Sequence, residues 1–255
     1  MFAPRLALAS LSGDADAAWA REGSDHAGAA FLGGIALDDA TRDAARKMIA
    51  RDREEFLPPD PLAFVAAELD ALADAPIRPG VNVRSATREP IERAGAICAE
   101  RDAVVEINAH CRQAEMCDVG CGEALLRDTD RLCEYVAAAG AAGADVSVKV
   151  RAEVAGVDLA ETARAIEAAG ADAIHVDAMD TESVVEDVAT AAPALFVIAN
   201  NEVRGRESAR EYLRYGADAV SVGRPSTDER VRRRVRAAVD EWGEATADRS
   251  EADAR

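Results

Sequence analysis

Lys149 is the residue of this 255-residue sequence whose type and position most clearly suggest chemistry. It belongs to the segment Val-Ser-Val-Lys-Val-Arg. In a strand, alternation puts Ser147, Lys149 and Arg151 on one face and the valines on the other. The chain has only one other lysine, Lys47, and burying an ammonium group without a partner is unfavourable. An inward-facing Lys149 is therefore predicted to be functional; a strand-end lysine that reaches solvent or pairs with a carboxylate is the alternative.

Cys111 is the candidate proton donor. It follows a predicted strand in the segment Glu-Ile-Asn-Ala-His-Cys-Arg-Gln. A free thiol with an ordinary pKa of about 8.5 is mostly protonated at neutral pH, so it can give up a proton. The alternative is a metal or iron–sulfur site made by Cys111, Cys117 and Cys121, with or without His110. Their C-x5-C-x3-C spacing matches none of the common zinc or cluster patterns, so no metal is predicted.

Two polar pairs, Asn200-Asn201 and Gly223-Arg224, each follow a predicted strand. Glycine lets a backbone approach a ligand closely, and arginine carries a permanent charge. The pairs are therefore predicted to hold a phosphate group, with an ordinary structural turn as the alternative for Gly223-Arg224. Weaker candidates for a substrate or phosphate contact are Arg84, Arg151, His175 and Asp177.

The elements that position these residues alternate along the chain. Short β-rich runs are followed by Ala/Glu/Arg-rich stretches at helical spacing, which indicates βα units and a parallel sheet. Strands are predicted at Leu6–Ser10, Ala29–Leu32, Val81–Val83, Val104–Asn108, Val146–Val150, Ala173–Val176, Leu195–Ala199 and Ala219–Val222. Helices are predicted near residues 14–22, 38–51, 87–100, 122–142, 158–169, 181–191, 206–215 and 226–241, with a further helix around Pro61–Ala73. Eight strands, each followed by a helix, predict an α/β fold, the closed (β/α)8 or TIM barrel. We expect residues 1–242 to form one domain, residues 243–255 to form an acidic flexible tail, and no separate C-terminal helical domain.

The active site of such a barrel lies at the carboxyl ends of its strands. Amides, cations and glycines stand there in this sequence, whereas carboxylates are scarce. Strands seven and eight, which end at the two polar pairs, commonly hold phosphate in barrels. The sequence therefore predicts a pocket for an anionic ligand.

The composition is acidic, with 48 Asp and Glu against 30 Lys and Arg and a net charge of −18. An acidic, lysine-poor chain is typical of halophilic proteins that function in molar salt, although GC-rich codon usage also favours arginine and alanine. The charge discourages nucleic-acid binding without excluding it. No apolar run approaches the roughly 20 residues of a membrane span, so a cytoplasmic location without membrane association is expected.

The segment Val104–Leu126, VVEINAHCRQAEMCDVGCGEALL, resembles the central motif of the tRNA-dihydrouridine synthases. The family motif is Ile-Asn-x-Gly-Cys-Pro, followed by Gly-x-Gly-x-x-Leu-Leu. The positions that match without a gap are Asn108, Cys111, Gly120, Gly122, Leu125 and Leu126. Further resemblance lies in Val81–Val83, Val148–Arg151, Ile198–Asn200 and Gly216–Arg224. The resemblance covers roughly residues 1–240. It indicates an archaeal relative of the family that consists of the barrel alone.

The resemblance implies an FMN enzyme on a TIM barrel that takes part in tRNA processing. In that family NADPH reduces FMN, the flavin passes a hydride to C6 of a uracil, and a cysteine protonates C5. Cys111 would be that proton donor, and Lys149 would lie beside the pyrimidine edge of the flavin. The cofactor-binding residues implied by the resemblance are Asn82 and Asn108 at the ring, Lys149, and Asn200, Asn201, Gly223 and Arg224 at the phosphate end.

Several positions depart from the family pattern. His110 replaces the glycine before the cysteine, and Arg112 replaces the proline after it. The family's His-Gly-Arg aligns with the segment that begins at Asp177. The family's C-terminal domain that grips tRNA has no counterpart in the sequence, which weakens tRNA as the expected partner. Two alternatives therefore stay open: a flavin enzyme acting on a free metabolite such as a dihydroorotate-like ring, and a barrel that binds a phosphate ligand without redox turnover.

Overall fold

A computed structural model describes residues 1–253, with side chains described through residue 246. Eight parallel strands close into one barrel in chain order, which confirms the predicted (β/α)8 fold. The strands are β1 (Leu6–Leu8), β2 (Ala29–Ala36), β3 (Arg78–Arg84), β4 (Val104–Asn108), β5 (Asp145–Arg151), β6 (Ala173–Asp177), β7 (Phe196–Asn200) and β8 (Ala219–Val222).

Helices surround the barrel, and several begin where the sequence supplies a side-chain acceptor. Aspartates cap five of them by accepting a hydrogen bond from a backbone N–H of the first turn, and their charge suits the positive end of the helix; these caps are Asp16, Asp38, Asp60, Asp128 and Asp158. The helices are α1 (Ala17–Gly23), α2 (Asp39–Ile49), α3 (Pro61–Asp70), α4 (Arg88–Ala99), α5 (Ala114–Asp118), α6 (Glu123–Leu126), α7 (Thr129–Ala141), α8 (Leu159–Ala168), α9 (Val184–Ala191), α10 (Arg206–Arg214) and α11 (Glu229–Asp253).

The two faces of each strand bury different chemistry. On β5 the valines Val146, Val148 and Val150 point outward into the main hydrophobic core between sheet and helices and are fully buried. Inside the barrel, a separate apolar cluster that includes Phe31 and Ile198 fills the end from which the strands start. Toward their carboxyl ends the inward-facing side chains become polar. The predicted alternation of β5 is therefore confirmed.

The structure differs from the sequence predictions between β4 and β5 and at the C-terminus. The helix predicted over residues 122–142 is divided into α6 and α7, because Asp128 starts a new helix by accepting a hydrogen bond from the Arg131 N–H. The short helix α5 was not predicted. Helix α11 continues to Asp253, so residue 242 is not a structural boundary. Residues 254–255 lie outside the described residues. The flexibility expected for residues 243–255 stays a prediction.

None of the helices in the described part of the chain combines the length and the apolar character that crossing a bilayer requires.

Candidate functional site at the barrel mouth

A cavity of about 570 Å³ opens at the carboxyl ends of the strands. Residues at or just after the carboxyl ends of β1, β4, β6, β7 and β8, together with one side chain of β5, form its wall. Pockets that bind small molecules have volumes of about 300–1,000 Å³. The predicted site residues that line the cavity are Lys149, Asp177, Asn200, Asn201, Gly223 and Arg224. The position of the cavity therefore agrees with the location that a (β/α)8 barrel uses for its active site.

Lys149 lies at the floor of this cavity. The residue is 4% exposed, and its ammonium group forms no hydrogen bond or ion pair with any residue that the structure describes. Burial lowers the pKa of Lys149, while the nearby carboxylates of Glu106 and Asp177 oppose that change. A buried ammonium group whose donors point into a cavity is stabilised when an anion or a polarised acceptor binds there.

The other charges of the cavity are partly paired. Arg204 binds Glu202 at 2.8 Å, and His110 contacts Asp177 at 2.6 Å. Arg224 is exposed at the rim and forms no ion pair within the described part of the chain. The cavity therefore carries two cations that form no ion pair with a described residue, Lys149 and Arg224, in a chain whose net charge is −18. This contrast favours an anionic ligand.

The segment after β7 adds amide groups to the rim. The Asn200 Nδ2 donates to Ser221 Oγ at 2.7 Å, which ties the end of β7 to β8. Asn201 and Glu202 both have positive φ values, 111° and 47°. Such values are unfavourable for residues with a Cβ atom and are concentrated at functional sites. The Tyr212 hydroxyl holds this strained turn by donating to the Asn201 carbonyl at 3.1 Å.

Beside Lys149, a chain of hydrogen bonds crosses the barrel interior. Glu106 accepts from Asn82 Nδ2 at 2.7 Å and contacts His175 Nδ1 at 2.7 Å. His175 Nε2 lies 2.7 Å from Ser221 Oγ, the same hydroxyl that Asn200 contacts. The side chains of Glu106, His175 and Ser221 are fully buried. These hydrogen bonds therefore link β3 and β4 to the cavity wall at β7 and β8.

The protonation of Glu106 and His175 is set by burial and by neighbouring groups together. Burial would raise the pKa of Glu106, but His175, through its charge when protonated and through its hydrogen bond, and the charge of Lys149 outweigh burial and lower it. Burial lowers the pKa of His175. Lys149 also lowers this pKa, whereas Glu106 raises it. At neutral pH the pair is therefore an ionised Glu106 bonded to a neutral His175. The negative charge of Glu106 favours the protonated form of Lys149.

The two asparagines predicted to contact the flavin ring do not line the cavity. Asn82 is fully buried between Glu106 and Asn108, whose Nδ2 donates to Asn82 Oδ1 at 2.8 Å. The Asn108 Oδ1 accepts from the backbone N–H groups of His110 and Cys111 at 3.2 and 3.0 Å. Asn108 therefore shapes the loop after β4. A direct contact of either amide with a ligand stays a prediction.

Cys111 also lies off the cavity wall. Its side chain is 8% exposed and packs in a satellite cluster with Met116 and Cys121. Its carbonyl accepts from the Glu123 N–H at 2.9 Å. The neighbouring residue His110, rather than Cys111, presents its side chain to the cavity. The proton-donor role of Cys111 stays a prediction that this placement does not favour.

The weaker candidates occupy different environments. Arg84 is 5% exposed and binds Glu55 at 2.6 Å, and Arg151 is 7% exposed and binds Glu123 at 3.2 Å. Neither lines the cavity, and His175 lies inside the barrel, so among these four only Asp177 faces the predicted pocket. Contacts of Arg84, Arg151 and His175 with a substrate or phosphate stay predictions.

Glu106, Ser221 and His110 were not among the predicted functional residues. A signal existed for the first two, because each is a polar residue in an apolar strand and shares the inward parity of other site residues. His110 was considered only as a possible metal ligand. Among the described residues, no group of three or more His, Cys, Asp and Glu side chains has the arrangement of a metal site.

Sequence comparison identifies two similarities. Residues 81–232, more than half of the chain, match the profile of the family described as dihydrouridine synthase (Dus). An uncharacterized protein of Methanocaldococcus jannaschii is 26% identical over 231 residues, which cover 86% of this chain and 88% of that protein. The profile match includes every predicted cofactor-binding residue.

Comparison with solved structures supports the fold. A FabK mutant from Thermotoga maritima superposes with a TM-score of 0.54 at 19% identity, over 86% of this chain and 60% of the FabK chain. The chain thus spans 60% of the length of that FabK structure. A chain of the tryptophan synthase complex from Pyrococcus furiosus superposes with a TM-score of 0.59 at 13% identity, over 94% of this chain and 100% of the other. At these identities the similarity concerns the barrel alone.

Proposed function

Because the chain belongs to the dihydrouridine synthase family, whose members are flavin-dependent oxidoreductases, we propose that it binds FMN at the barrel mouth and reduces the C5=C6 bond of a uracil-type ring. The observation that carries this proposal is the buried, unpaired ammonium group of Lys149, which faces a cavity of about 570 Å³. A cation in that position fits a ligand that becomes negatively charged when it is reduced.

The residues present fit the chemistry of FMN. FMN carries an anionic phosphate, and the cavity holds an unpaired Arg224 next to Gly223, where no atom lies within 4 Å of the position that a Cβ would take. We assign the phosphate end to Gly223, Arg224, Asn200 and Asn201, and the ring to Lys149. Bound FMN would supply the hydride for the reduction, which is chemistry that no amino-acid side chain provides.

The protein's own groups would bind the cofactor and stabilise its negative charge. Lys149 would stabilise negative charge at the ring, and the carboxylates of Glu106 and Asp177 oppose the lowering of its pKa by burial. Arg224 would orient the phosphate from the rim. The apolar side chains Leu11 and Val203 line the same cavity and would limit the access of water. A nicotinamide, NADPH in our proposal, would serve as the electron donor.

The substrate carrying the uracil ring has two candidates. The family relationship favours a uridine of tRNA. The net charge of −18 repels a polyanion at low salt and favours a free uracil-type metabolite instead. At about 1 M salt the Debye length falls to about 3 Å, so tRNA binding is not opposed by distant charges under those conditions.

Flavin binding is tested with the two lysines of the chain. Purified protein should absorb near about 450 nm because oxidised flavins absorb there, and added FMN should bind to protein freed of flavin. We expect Lys149→Met to weaken FMN binding by about 10- to 100-fold, the loss of one hydrogen bond from a charged group. Lys47→Met, which changes an exposed lysine of α2, is the matched control. A colourless protein that does not bind FMN would overturn the proposal.

The substrate is tested by incubating the FMN-loaded protein and NADPH with an unmodified tRNA transcript or with uridine monophosphate. Dihydrouridine in the transcript supports tRNA as the substrate, and dihydrouridine monophosphate alone supports a free metabolite. Flavin that stays oxidised in the presence of NADPH would remove the nicotinamide from the proposal.

A further inference from the structure

We propose that His110, held by Asp177, is the acid that delivers the proton in this reduction, in the place expected for Cys111. This inference rests on the proposed function, since it assigns one half of the reaction at the same cavity. The three observations that carry it are the His110–Asp177 contact, the unpaired second nitrogen of the imidazole, and the burial of Cys111 away from the cavity.

The imidazole and the carboxylate form a dyad on the cavity wall. His110 Nε2 lies 2.6 Å from Asp177 Oδ2, and both side chains line the cavity that Lys149 faces. They are partly exposed there, at 29% and 14%. The other ring nitrogen, Nδ1, has no hydrogen-bond partner among the residues that the structure describes. Nδ1 is therefore the nitrogen that is available to a ligand.

Both members of the dyad are held in place by the backbone. The His110 N–H donates to Asn108 Oδ1 at 3.2 Å, and Asp177 Oδ1 accepts from the Met179 N–H at 3.3 Å. Asp177 is the last residue of β6, so a strand end orients the carboxylate. An acid oriented in this way needs little rearrangement when a substrate binds.

Cys111 lacks these features. Its side chain belongs to the satellite cluster with Met116 and Cys121 and does not line the cavity. The loop is tied in this position through the Cys111 carbonyl, which accepts from the Glu123 N–H at 2.9 Å. Bringing the thiol to the cavity would require this loop to turn, whereas His110 is already at the wall.

The dyad supplies the proton that the reduction consumes. The ring's π bond breaks and two C–H bonds form, one with the hydride, which carries both electrons, and one with the proton from Nδ1 of the His110 imidazolium. The imidazole is left neutral and regains a proton from solvent, while the nicotinamide restores the reducing electrons. Asp177 stabilises the imidazolium form in which His110 acts.

The charges around His110 come from two strands, β5 and β6. Burial lowers the pKa of His110, and Lys149 and Arg151 of β5 act in the same direction. Asp177 of β6 opposes them, and His175 of the same strand interacts electrostatically with His110. The net effect holds the pKa below the ordinary value of about 6.5. A positioned general acid contributes about 100- to 10,000-fold to a rate.

The protonation of His110 can be measured without substrate. The chain contains three histidines, so the imidazole resonances of ¹⁵N-histidine-labelled protein can be assigned with His26→Gln, His110→Gln and His175→Gln variants. We expect His110 to titrate below about pH 6.5 and Asp177→Asn to lower that value further, because the raising influence of Asp177 is lost. A titration of His110 that Asp177→Asn does not move would overturn the dyad.

Turnover gives the second readout, with dihydrouridine formation from the tRNA transcript or uridine monophosphate as the assay. We expect His110→Gln to lower turnover by about 100-fold or more while FMN stays bound and NADPH still reduces it. His26→Gln, a change at a histidine that does not line the cavity, is the control and should keep wild-type turnover. In the wild type, kcat/KM should fall as the pH rises through the His110 titration, and Asp177→Asn should move this limb to lower pH.

The outcomes separate the two proposals. Wild-type turnover in His110→Gln, a pH limb near about 8.5 as expected for a thiol, or loss of turnover in Cys111→Ala alone would overturn the acid role and leave the proposed function intact. A protein that binds no FMN and reduces neither probe would overturn the proposed function itself, and the assigned proton step with it.

Discussion

The buried pair Glu106 and His175 sets the charge beside the cavity. Their side chains are both 0% exposed and lie 2.7 Å apart. Glu106 keeps its negative charge because His175 and Lys149 oppose the effect of burial, and His175 stays neutral because burial dominates its titration. At the scale of single residues, one carboxylate therefore supports both the buried ammonium group and the hydrogen-bond chain toward Ser221.

Stability should depend on pH through this pair. The pKa of His175 is lowered in the fold, so the unfolded chain binds more protons as the pH falls below about 6.5, and the free energy of unfolding must fall with it. We expect urea unfolding at pH 7.5 and 5.5 to show this loss, and His175→Gln to reduce it. His110 contributes in the same direction, so part of the loss should remain.

The control for this experiment is Lys47→Met, a change at an exposed residue of α2 that removes no histidine. Equal losses of stability between the two pH values in wild type and His175→Gln would contradict the assignment of His175 as a neutral buried group.

At the scale of elements, the turn between α5 and α6 decides where His110 and Cys111 lie. Gly122 has a φ of 60° and a ψ of −130°, a backbone conformation that is essentially restricted to glycine. A Cβ at this position would clash with the Cys111 carbonyl oxygen. Helix α6 then anchors the loop, because Glu123 binds Arg151 of β5 at 3.2 Å. The Gly-x-Gly spacing of the family motif therefore has a packing role here.

Gly122→Ala should displace this loop. We expect it to lower the free energy of unfolding by about 2–4 kcal/mol, because backbone strain and the clash add. Gly156→Ala is the matched control: Gly156 also has a positive φ, 81°, but no atom lies within 4 Å of its Cβ position. The control should lose only about 1–2 kcal/mol, the cost of the left-handed conformation. Equal losses in urea unfolding would show that the contact with Cys111 does not constrain the turn.

At the scale of the whole molecule, the net charge of −18 contrasts with the unpaired cations of the cavity. Many surface carboxylates pair with arginines; Glu241 of α11, for example, binds both Arg206 and Arg210 of α10. The remaining acidic excess repels itself, and repulsion of this kind destabilises a compact fold at low salt. A halophilic character follows from this balance as a prediction.

Stability should therefore increase with salt. We expect the urea midpoint to rise between 0.1 and 1 M KCl, because the Debye length shortens from about 10 Å to about 3 Å and screens the acidic surface. Glycerol at the same molar concentrations, with KCl held at 0.1 M, is the uncharged control. A midpoint that does not change with KCl, or that changes equally with glycerol, would contradict an electrostatic origin.

The sequence by itself determined the barrel and much of its polar rim. Strand and helix periods are local properties of the chain, so the eight βα units and the inward direction of Lys149 could be predicted from alternation. The aligned ends of parallel strands then predicted that Lys149, Asn200 and Gly223 would meet. The prediction was less accurate after β4, where the Asp128 cap divides the expected helix, because a local side-chain cap rather than the helical period decides where α7 begins.

Only the tertiary structure decided which side chains pair across the barrel. Glu106 and His175 are 69 residues apart, and His110 and Asp177 are 67 apart, so no local pattern links them. The same holds for the direction of the loop after β4, which places His110 on the cavity wall and Cys111 in a separate cluster. These outcomes depend on strand register, barrel closure and a turn held by distant residues, and all three arise only when the chain is folded.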